Sequence, residues 1–143
     1  RCSLTKRQAW RSMEVLETVI YADDLDVAAE FYGQKLGLEL LSKNELMLVM
    51  RAGKAYLLVL DASKSSVPGR LVPSHGMSGA GHVAFVADEG EREEWKVRLA
   101  NAEIDIESIV EWDGGRGDSI YVRDPAGNSV EFAPPGLWSY LHE

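Results

Sequence analysis

An internal repeat is the feature that most restricts what this chain can fold into. The segment LETVIYADD, residues 16–24, aligns without gaps on GHVAFVADE, residues 81–89, and the apolar residues fall in step. The offset is 65 residues, so that Glu17 corresponds to His82. Each copy is followed by a helical pattern and then by three strand candidates. The repeat therefore predicts two βαβββ modules.

The helix of each module is expected to bury one apolar face. The first helix is predicted to begin at an Asp23 or Asp24 N-cap and to end before Gly37. The second helix is predicted over about residues 91–101, with a solvated acidic first turn. The apolar face of the first helix comprises Leu25, Ala28, Ala29, Tyr32 and Leu36, and that of the second comprises Trp95, Leu99 and Ala102.

Neither module has enough sheet to bury its own apolar face, so the two are expected to combine. The fold class predicted is α+β: one curved, mostly antiparallel sheet of eight strands, with the helices on its convex face. The Ser-, Pro- and Gly-rich stretch between the modules serves as a linker. The predicted divisions are an N-terminal extension or cloning remnant at 1–12, a domain at 13–138 made of module one at 13–61, the linker at 62–80 and module two at 81–134, and a tail at 139–143.

Composition excludes several classes of function. The 143 residues fit one globular domain, and their net charge of −8 argues against nucleic-acid binding, which needs a basic face. The apolar runs are too short to span a bilayer, and no signal-peptide pattern opens the chain. The single cysteine, Cys2, cannot form an internal disulfide, and this favours the cytoplasm.

Strand alternation places three chemically reactive side chains on the concave side of the sheet. Glu17, His82 and Glu131 share that face, while their neighbours in the chain point toward the helices. Such groups in an apolar hollow are costly unless they are paired or bind a metal. Taken singly, a strand histidine or glutamate is more commonly a hydrogen-bonded core residue or a solvated edge residue. The first-module counterpart of Glu131 is Leu57 or Leu58, neither of which is a ligand.

Three stretches resemble one known superfamily over about residues 13–138. They are YADDLDVAAEFYGQKLGLEL, GHVAFVAD and RDPAGNSVEF, of which the last is the most specific. Together they resemble the vicinal oxygen chelate superfamily, which includes glyoxalase I, bleomycin- and fosfomycin-resistance proteins and extradiol dioxygenases. The resemblance implies a divalent metal, with His82 and Glu131 at two ligand positions. Glu17 occupies a position that is commonly histidine in the family.

The resemblance also implies a ligand set and a cofactor. A set of Glu17, His82 and Glu131 leaves coordination positions open for water or substrate. Two carboxylates and one imidazole favour Mn²⁺, Fe²⁺, Mg²⁺, Zn²⁺ or Ni²⁺ over thiophilic ions. Some family members bind antibiotics without any ion. The alternative for this chain is therefore a site that has lost its metal.

The leading functional hypothesis is a metal-dependent enzyme of glyoxalase type, a lyase or isomerase acting on a small oxygen-chelating carbonyl substrate. His82 and Glu131 are the expected ligands, and Glu17 is a third ligand or the catalytic base. The alternatives are a metal-independent protein that sequesters a drug or metabolite, and an extradiol-type dioxygenase. The resemblance further implies a homodimer, with sites completed across it.

Four further residues are candidates for lining the substrate pocket. Tyr21 and Tyr121 lie on strands and can face the hollow, although tyrosine is common in sheets. His75, in the linker, is either a mobile acid or base or a solvated loop residue. Arg116, in the glycine-rich loop at residues 112–118, is a candidate anion contact at the rim.

Overall fold

The computed structural model describes residues 14–142, and the predicted N-terminal extension lies outside the described residues. Within them the two modules follow one another, joined by a linker that contains one short helix. Module one consists of β1 (Glu17–Tyr21), α1 (Leu25–Ala29, continued by a π-helical segment, Glu30–Lys35), β2 (Glu39–Lys43), β3 (Met47–Ala52) and β4 (Ala55–Leu60). The linker contains α2 (Ala62–Ser65), and module two consists of β5 (His82–Val86), α3 (Glu89–Asn101), β6 (Ser108–Trp112), β7 (Gly117–Arg123) and β8 (Ser129–Ala133), with 3₁₀ turns at Asp113–Gly115 and Ser139–His142.

The α+β class and the two βαβββ modules are confirmed. Each module forms its own four-stranded sheet, in the order β1-β4-β3-β2 and β5-β8-β7-β6. One continuous eight-stranded sheet was predicted, but the strands form two sheets. Strands β1 and β5 lie in contact without forming a hydrogen-bonded ladder. In each sheet the first and last strands of the module pair in parallel, and the other pairs are antiparallel. None of the helices within residues 14–142 is long and apolar enough to cross a membrane.

The first helix begins and ends where its sequence signals predict. The Asp24 side chain accepts hydrogen bonds from the backbone N–H groups of Asp26 and Val27, which satisfies the N-cap. Gly37 follows the helix with a positive φ of 88°, a conformation that glycine adopts without strain. The predicted apolar face packs into the core, with Leu25, Ala28, Tyr32 and Leu36 buried and Ala29 half-buried.

The second helix begins two residues earlier than predicted. Asp88 and Glu91 form a capping box, in which each side chain accepts from the other residue's backbone N–H, and this fixes the first turn at Glu89. Arg92 is buried although it is charged. Its guanidinium donates to Asp118 at 3.0 Å and to the Ala87 carbonyl at 2.7 Å, so the helix is tied to strand β7.

The register of the two parallel pairs identifies the module-one counterpart of Glu131. Val19 pairs with Leu58 in module one, and the repeat-equivalent Ala84 pairs with Glu131 in module two. Leu57 is buried in the core, whereas Leu58 is half-buried on the other face of its strand. The counterpart is therefore Leu58, and module one contributes no ligand at this position.

A buried carboxylate connects the helix of module one to the last turn of module two. Asp124 Oδ2 accepts a hydrogen bond from the Tyr32 hydroxyl at 2.7 Å. Asp124 Oδ1 accepts from the backbone N–H groups of Ala126 and Asn128, which closes the turn DPAGN. Burial raises the pKa of the Tyr32 hydroxyl far above its usual value, and the charge of Asp124 and the hydrogen bond to it act in the same direction.

Replacing Tyr32 with phenylalanine is expected to destabilise the protein by about 1–3 kcal/mol near neutral pH, because a buried carboxylate loses a donor. Above pH ~10 the unfolded tyrosine loses its proton while the folded one keeps it. The parent therefore loses up to about 1.4 kcal/mol of stability per pH unit from this residue, and Tyr32→Phe does not. Urea unfolding across a pH series measures the free energy of unfolding of the two proteins. We expect the difference between them to become smaller above pH ~10, and a constant difference would contradict a folded-state Tyr32 that keeps its proton.

Candidate functional site

His82 and Glu131 meet on the face of the second sheet that lies opposite the core. They lie on the parallel neighbours β5 and β8, and the register brings their side chains together. The His82 Nε2 atom is 3.1 Å from Glu131 Oε1. Glu131 is 5% exposed, whereas the His82 side chain is 49% exposed. The pair thus has one buried and one open member, as a site reached from solvent requires.

The second nitrogen of the His82 ring is held by the backbone. Nδ1 lies 3.1 Å from the carbonyl oxygen of Ser129, which can only accept a hydrogen bond, so Nδ1 carries a proton. In a neutral ring, Nε2 then presents a lone pair to the Glu131 carboxylate. Two acceptors at this separation need a proton or a cation between them. Metal-binding histidines are commonly oriented by this kind of bond from the opposite ring nitrogen to a carbonyl.

The other oxygen of Glu131 has no partner among the described residues. Oε2 is buried and makes no hydrogen bond, which is costly for a carboxylate. An imidazole lone pair and a carboxylate with a free buried oxygen form a donor set that suits a borderline or hard divalent cation. These residues therefore fit the metal that the sequence predicts.

Glu17 does not join this pair within one chain. It lies on β1 in the first sheet, is exposed, and pairs through its backbone with Tyr56. Across residues 14–142, no three His, Cys, Asp or Glu side chains form a group that could hold a metal ion. The structure thus brings together two of the three predicted ligands, and the role of Glu17 stays a prediction.

Tyr121 extends the His82–Glu131 pair along the same face. Its backbone lies opposite Glu131 across β7 and β8, and its ring stacks on His82 with centroids 6.3 Å apart. Burial raises the pKa of the Tyr121 hydroxyl, and the negative charge of the nearby Glu131 carboxylate acts in the same direction. The neighbouring Ser119 hydroxyl acts in the opposite direction. The hydroxyl is therefore held protonated beside the carboxylate.

Two further polar residues on this face were not predicted from the sequence. The buried Ser119 hydroxyl accepts a hydrogen bond from Trp112 Nε1 at 2.8 Å. One face of the second sheet thus carries Trp112, Ser119, Tyr121, Glu131 and His82. Strand alternation indicates which residues share this face. Their hydrogen bonds depend on the register of β6, β7 and β8, and no sequence signal fixes it.

Tyr21 and His75 form a second pair at the end of β1. The Tyr21 hydroxyl is 2.6 Å from His75 Nδ1. The backbone of His75 is fixed as well, because its N–H donates to the Ser65 carbonyl and its carbonyl accepts from the Ser65 hydroxyl. His75 is exposed, yet both its side chain and its backbone are anchored. Their contact with substrate stays a prediction.

Arg116 makes its contacts with its own glycine-rich loop and with the C-terminal segment of the chain. Its Nε donates to the carbonyl of Asp113, and its Nη1 donates to the carbonyl of Leu137. The guanidinium also lies 4.6 Å from the centre of the Tyr140 ring. These contacts fix the C-terminal segment to the loop, and the predicted anion contact stays a prediction.

Comparison with known proteins agrees with this architecture. The profile of the Glyoxalase/Bleomycin resistance protein/Dioxygenase superfamily matches residues 14–132. A search of curated proteins found no match.

Solved structures show the same arrangement of strands and helices. A lactoylglutathione lyase from Agrobacterium tumefaciens is 41% identical with a TM-score of 0.82, over 87% of this chain and 96% of that one. A glyoxalase family protein from Enterococcus faecalis is 25% identical with a TM-score of 0.64, over 86% and 98%. A virulence protein from Salmonella typhimurium, 22% identical with a TM-score of 0.65 over 85% and 96%, shares the fold.

Proposed function

Because the chain belongs to the Glyoxalase/Bleomycin resistance protein/Dioxygenase superfamily, we propose that it is a divalent-metal-dependent lyase or isomerase acting on a small carbonyl compound with adjacent oxygens. The observation that carries this proposal is the His82–Glu131 pair with its unpartnered, buried Oε2. The 41% identity to a lactoylglutathione lyase supports lyase chemistry. It also makes lactoylglutathione the first compound to assay. We propose the cytoplasm as the compartment, because a chain with a single cysteine cannot form an internal disulfide.

In this proposal His82 and Glu131 hold the metal through Nε2 and the carboxylate. The Ser129 carbonyl fixes the ring so that Nε2 points toward the Glu131 carboxylate. A divalent cation, when bound, polarises adjacent substrate oxygens as a Lewis acid and so makes the neighbouring C–H bond more acidic.

Proton transfer then falls to the carboxylates of the site. An isomerase of this kind moves one proton from a carbon to its neighbour, and the general base must lie within hydrogen-bonding reach of both. Glu17 is the proposed base unless it is a third ligand, and Glu131 is its alternative. Tyr121, which stays protonated beside Glu131, is proposed to donate a hydrogen bond to the substrate oxygen that gains negative charge.

We further propose that a second copy of the chain completes the site. Val86 lies on the same side of β5 as His82 and is 70% exposed, which is unfavourable for an apolar side chain on an uncovered face. Covering this face with a symmetric partner would remove Val86 from water and would allow Glu17 of one copy to approach His82 and Glu131 of the other.

Mixing two inactive variants tests both the metal site and its sharing. Glu17→Gln and Glu131→Gln homodimers are each expected to lose activity with lactoylglutathione, and Glu131→Gln is also expected to lose the one divalent ion bound per site. After unfolding and refolding together in equal amounts, half of the dimers are mixed, and each mixed dimer has one intact site. Activity should then return to roughly a quarter of the parent value.

The same mixture separates a shared site from a site within one chain. If all ligands came from one chain, the mixed dimers would contain no intact site and would stay inactive. The control is a mixture of Glu131→Gln with His82→Gln, whose substitutions lie in the same module and cannot complement each other. Recovery in this control, or its absence in the test mixture, would contradict the shared site.

One observation favours a second candidate function, a metal-independent binding protein for a drug or metabolite. Only two of the three predicted ligands come together within the described residues. Titration with bleomycin, with and without EDTA, decides between the two functions. Tight binding that is indifferent to EDTA, in a protein that takes up no divalent ion, would support this second function.

A further inference from the structure

The side chain of Asn128 lies at the junction between the two modules. It is 1% exposed and contacts three elements. Its Oδ1 accepts from the backbone N–H of Gly81 at 2.7 Å, and its Nδ2 donates to the carbonyl of Tyr21 at 2.9 Å and to Asp124 Oδ2 at 2.9 Å. The amide thus connects the end of β1, the start of β5 and the turn before β8.

The oxygen and both N–H groups of the buried Asn128 amide are hydrogen-bonded. Both N–H groups donate and the oxygen accepts, so the side chain has one preferred orientation. Asp124 fixes both the side chain and the backbone of Asn128, because its carboxylate also accepts from the backbone N–H of Asn128 at 2.7 Å. A network with all its members satisfied is rigid, so the backbone groups that the Asn128 amide binds directly are held in one arrangement.

These contacts reach both members of the candidate metal site through the backbone. Gly81 directly precedes His82, and its carbonyl accepts from the N–H of Ser129 at 2.9 Å. The carbonyl of Ser129 in turn holds the His82 ring. Glu131 follows two residues later on the same strand. The segment of residues 128–129 therefore sets where His82 begins its strand and how its ring is turned.

We propose that Asn128 is a positioning residue that sets the separation and orientation of His82 and Glu131 and couples them to β1. The metal-binding part of this inference rests on the proposed function, whereas the positioning of the His82 ring does not. Loss of a residue that orients a metal ligand typically weakens metal affinity by ~10–100-fold.

The test compares Asn128→Ala with Tyr32→Phe. Both remove hydrogen bonds from the same buried network, but Tyr32→Phe leaves the bonds to Gly81 and Tyr21 in place. For each folded variant, Mn²⁺ alone is titrated and followed by electron paramagnetic resonance. We expect at least ~10-fold weaker Mn²⁺ binding in Asn128→Ala and less than about a twofold change in Tyr32→Phe.

Nitrogen NMR of the His82 ring provides the readout that does not require a metal. In the metal-free parent, the Nδ1 and Nε2 signals report the bonds to Ser129 and Glu131. They should shift or broaden in Asn128→Ala and stay at the parent positions in Tyr32→Phe. Equal perturbation in the two variants, or none in either, would overturn the positioning role. If the parent binds no Mn²⁺, Zn²⁺ or Ni²⁺, the proposed function fails while the NMR result still decides the inference.

Gly81→Ala provides an independent variant in case Asn128→Ala does not fold. A Cβ at Gly81 would lie 3.1 Å from Asn128 Oδ1 and 3.2 Å from the Met77 side chain, so the neighbours must shift by a few tenths of an ångström. The polar network keeps all its partners, and only its position changes. We expect the same His82 ring signals to move and Mn²⁺ binding to weaken, by less than in Asn128→Ala because no hydrogen bond is removed. Unchanged ring signals would contradict the proposal.

Discussion

Replacing Glu131 with glutamine is expected to lower kcat by at least about a thousandfold, which corresponds to about 4 kcal/mol of transition-state stabilisation. The free energy of unfolding should meanwhile stay within about 1 kcal/mol of the parent value or rise. The two effects separate because Glu131 contributes charge to the site and little to folding. Its Oε2 is buried without a partner, so a neutral amide relieves a desolvation cost.

The substitution also removes one carboxylate from the donor set that faces His82. Glutamine has the same shape, but its neutral amide is a much weaker ligand for a divalent cation. Steady-state kinetics with lactoylglutathione and urea unfolding measure the two quantities in one protein. Glu94→Gln, an exposed substitution on α3, is the matched control and should change neither. Parent-like kcat in Glu131→Gln would show that this carboxylate takes no part in the reaction.

Replacing Phe132, the next residue along β8, is expected to have the opposite outcome. Phe132 is 1% exposed, and its ring stacks on Trp95 at 4.3 Å and on Phe85 at 6.0 Å. Phe132→Ala deletes the ring that joins helix α3 to the second sheet and leaves a cavity in the core. We expect a loss of about 3–5 kcal/mol of stability, a large part of what a domain of this size has.

Urea denaturation of Phe132→Ala, followed by far-ultraviolet circular dichroism, measures this loss as a shift in midpoint. Val97→Ala, an exposed apolar truncation on α3, is the control and should change stability by less than about 0.5 kcal/mol. A loss below about 1 kcal/mol in Phe132→Ala would mean that the core does not depend on this ring. Adjacent residues on one strand thus serve function and folding separately.

The alternation of core and site residues along one strand also explains why much of the fold was predictable from the sequence. Successive side chains of a strand point to opposite faces, which places Val130 and Phe132 on one side of β8 and Glu131 on the other. Helix ends were predictable for the same local reason, since Asp24 and Gly37 act within their own turn. The choice between Leu57 and Leu58 needed the register of β1 with β4, which depends on pairing between distant segments.

The parts of the site that escaped prediction are set by tertiary distances. The sequence indicates a turn at DPAGN, but not that the Asn128 amide reaches Gly81 and Tyr21 across the junction of the modules. It places Glu17 on the correct strand without showing that the two sheets separate it from His82 and Glu131. Side-chain hydrogen bonds between segments far apart in the chain have no periodic signature, so they are seen only in the tertiary structure.

The most direct test of the metal site is anomalous diffraction from crystals of the parent grown with Mn²⁺. We expect one strong anomalous peak per site, bound by His82 Nε2 and the Glu131 carboxylate, and no peak in Glu131→Gln. A well-ordered His82–Glu131 contact with no peak, or a peak that persists in the variant, would contradict this metal site.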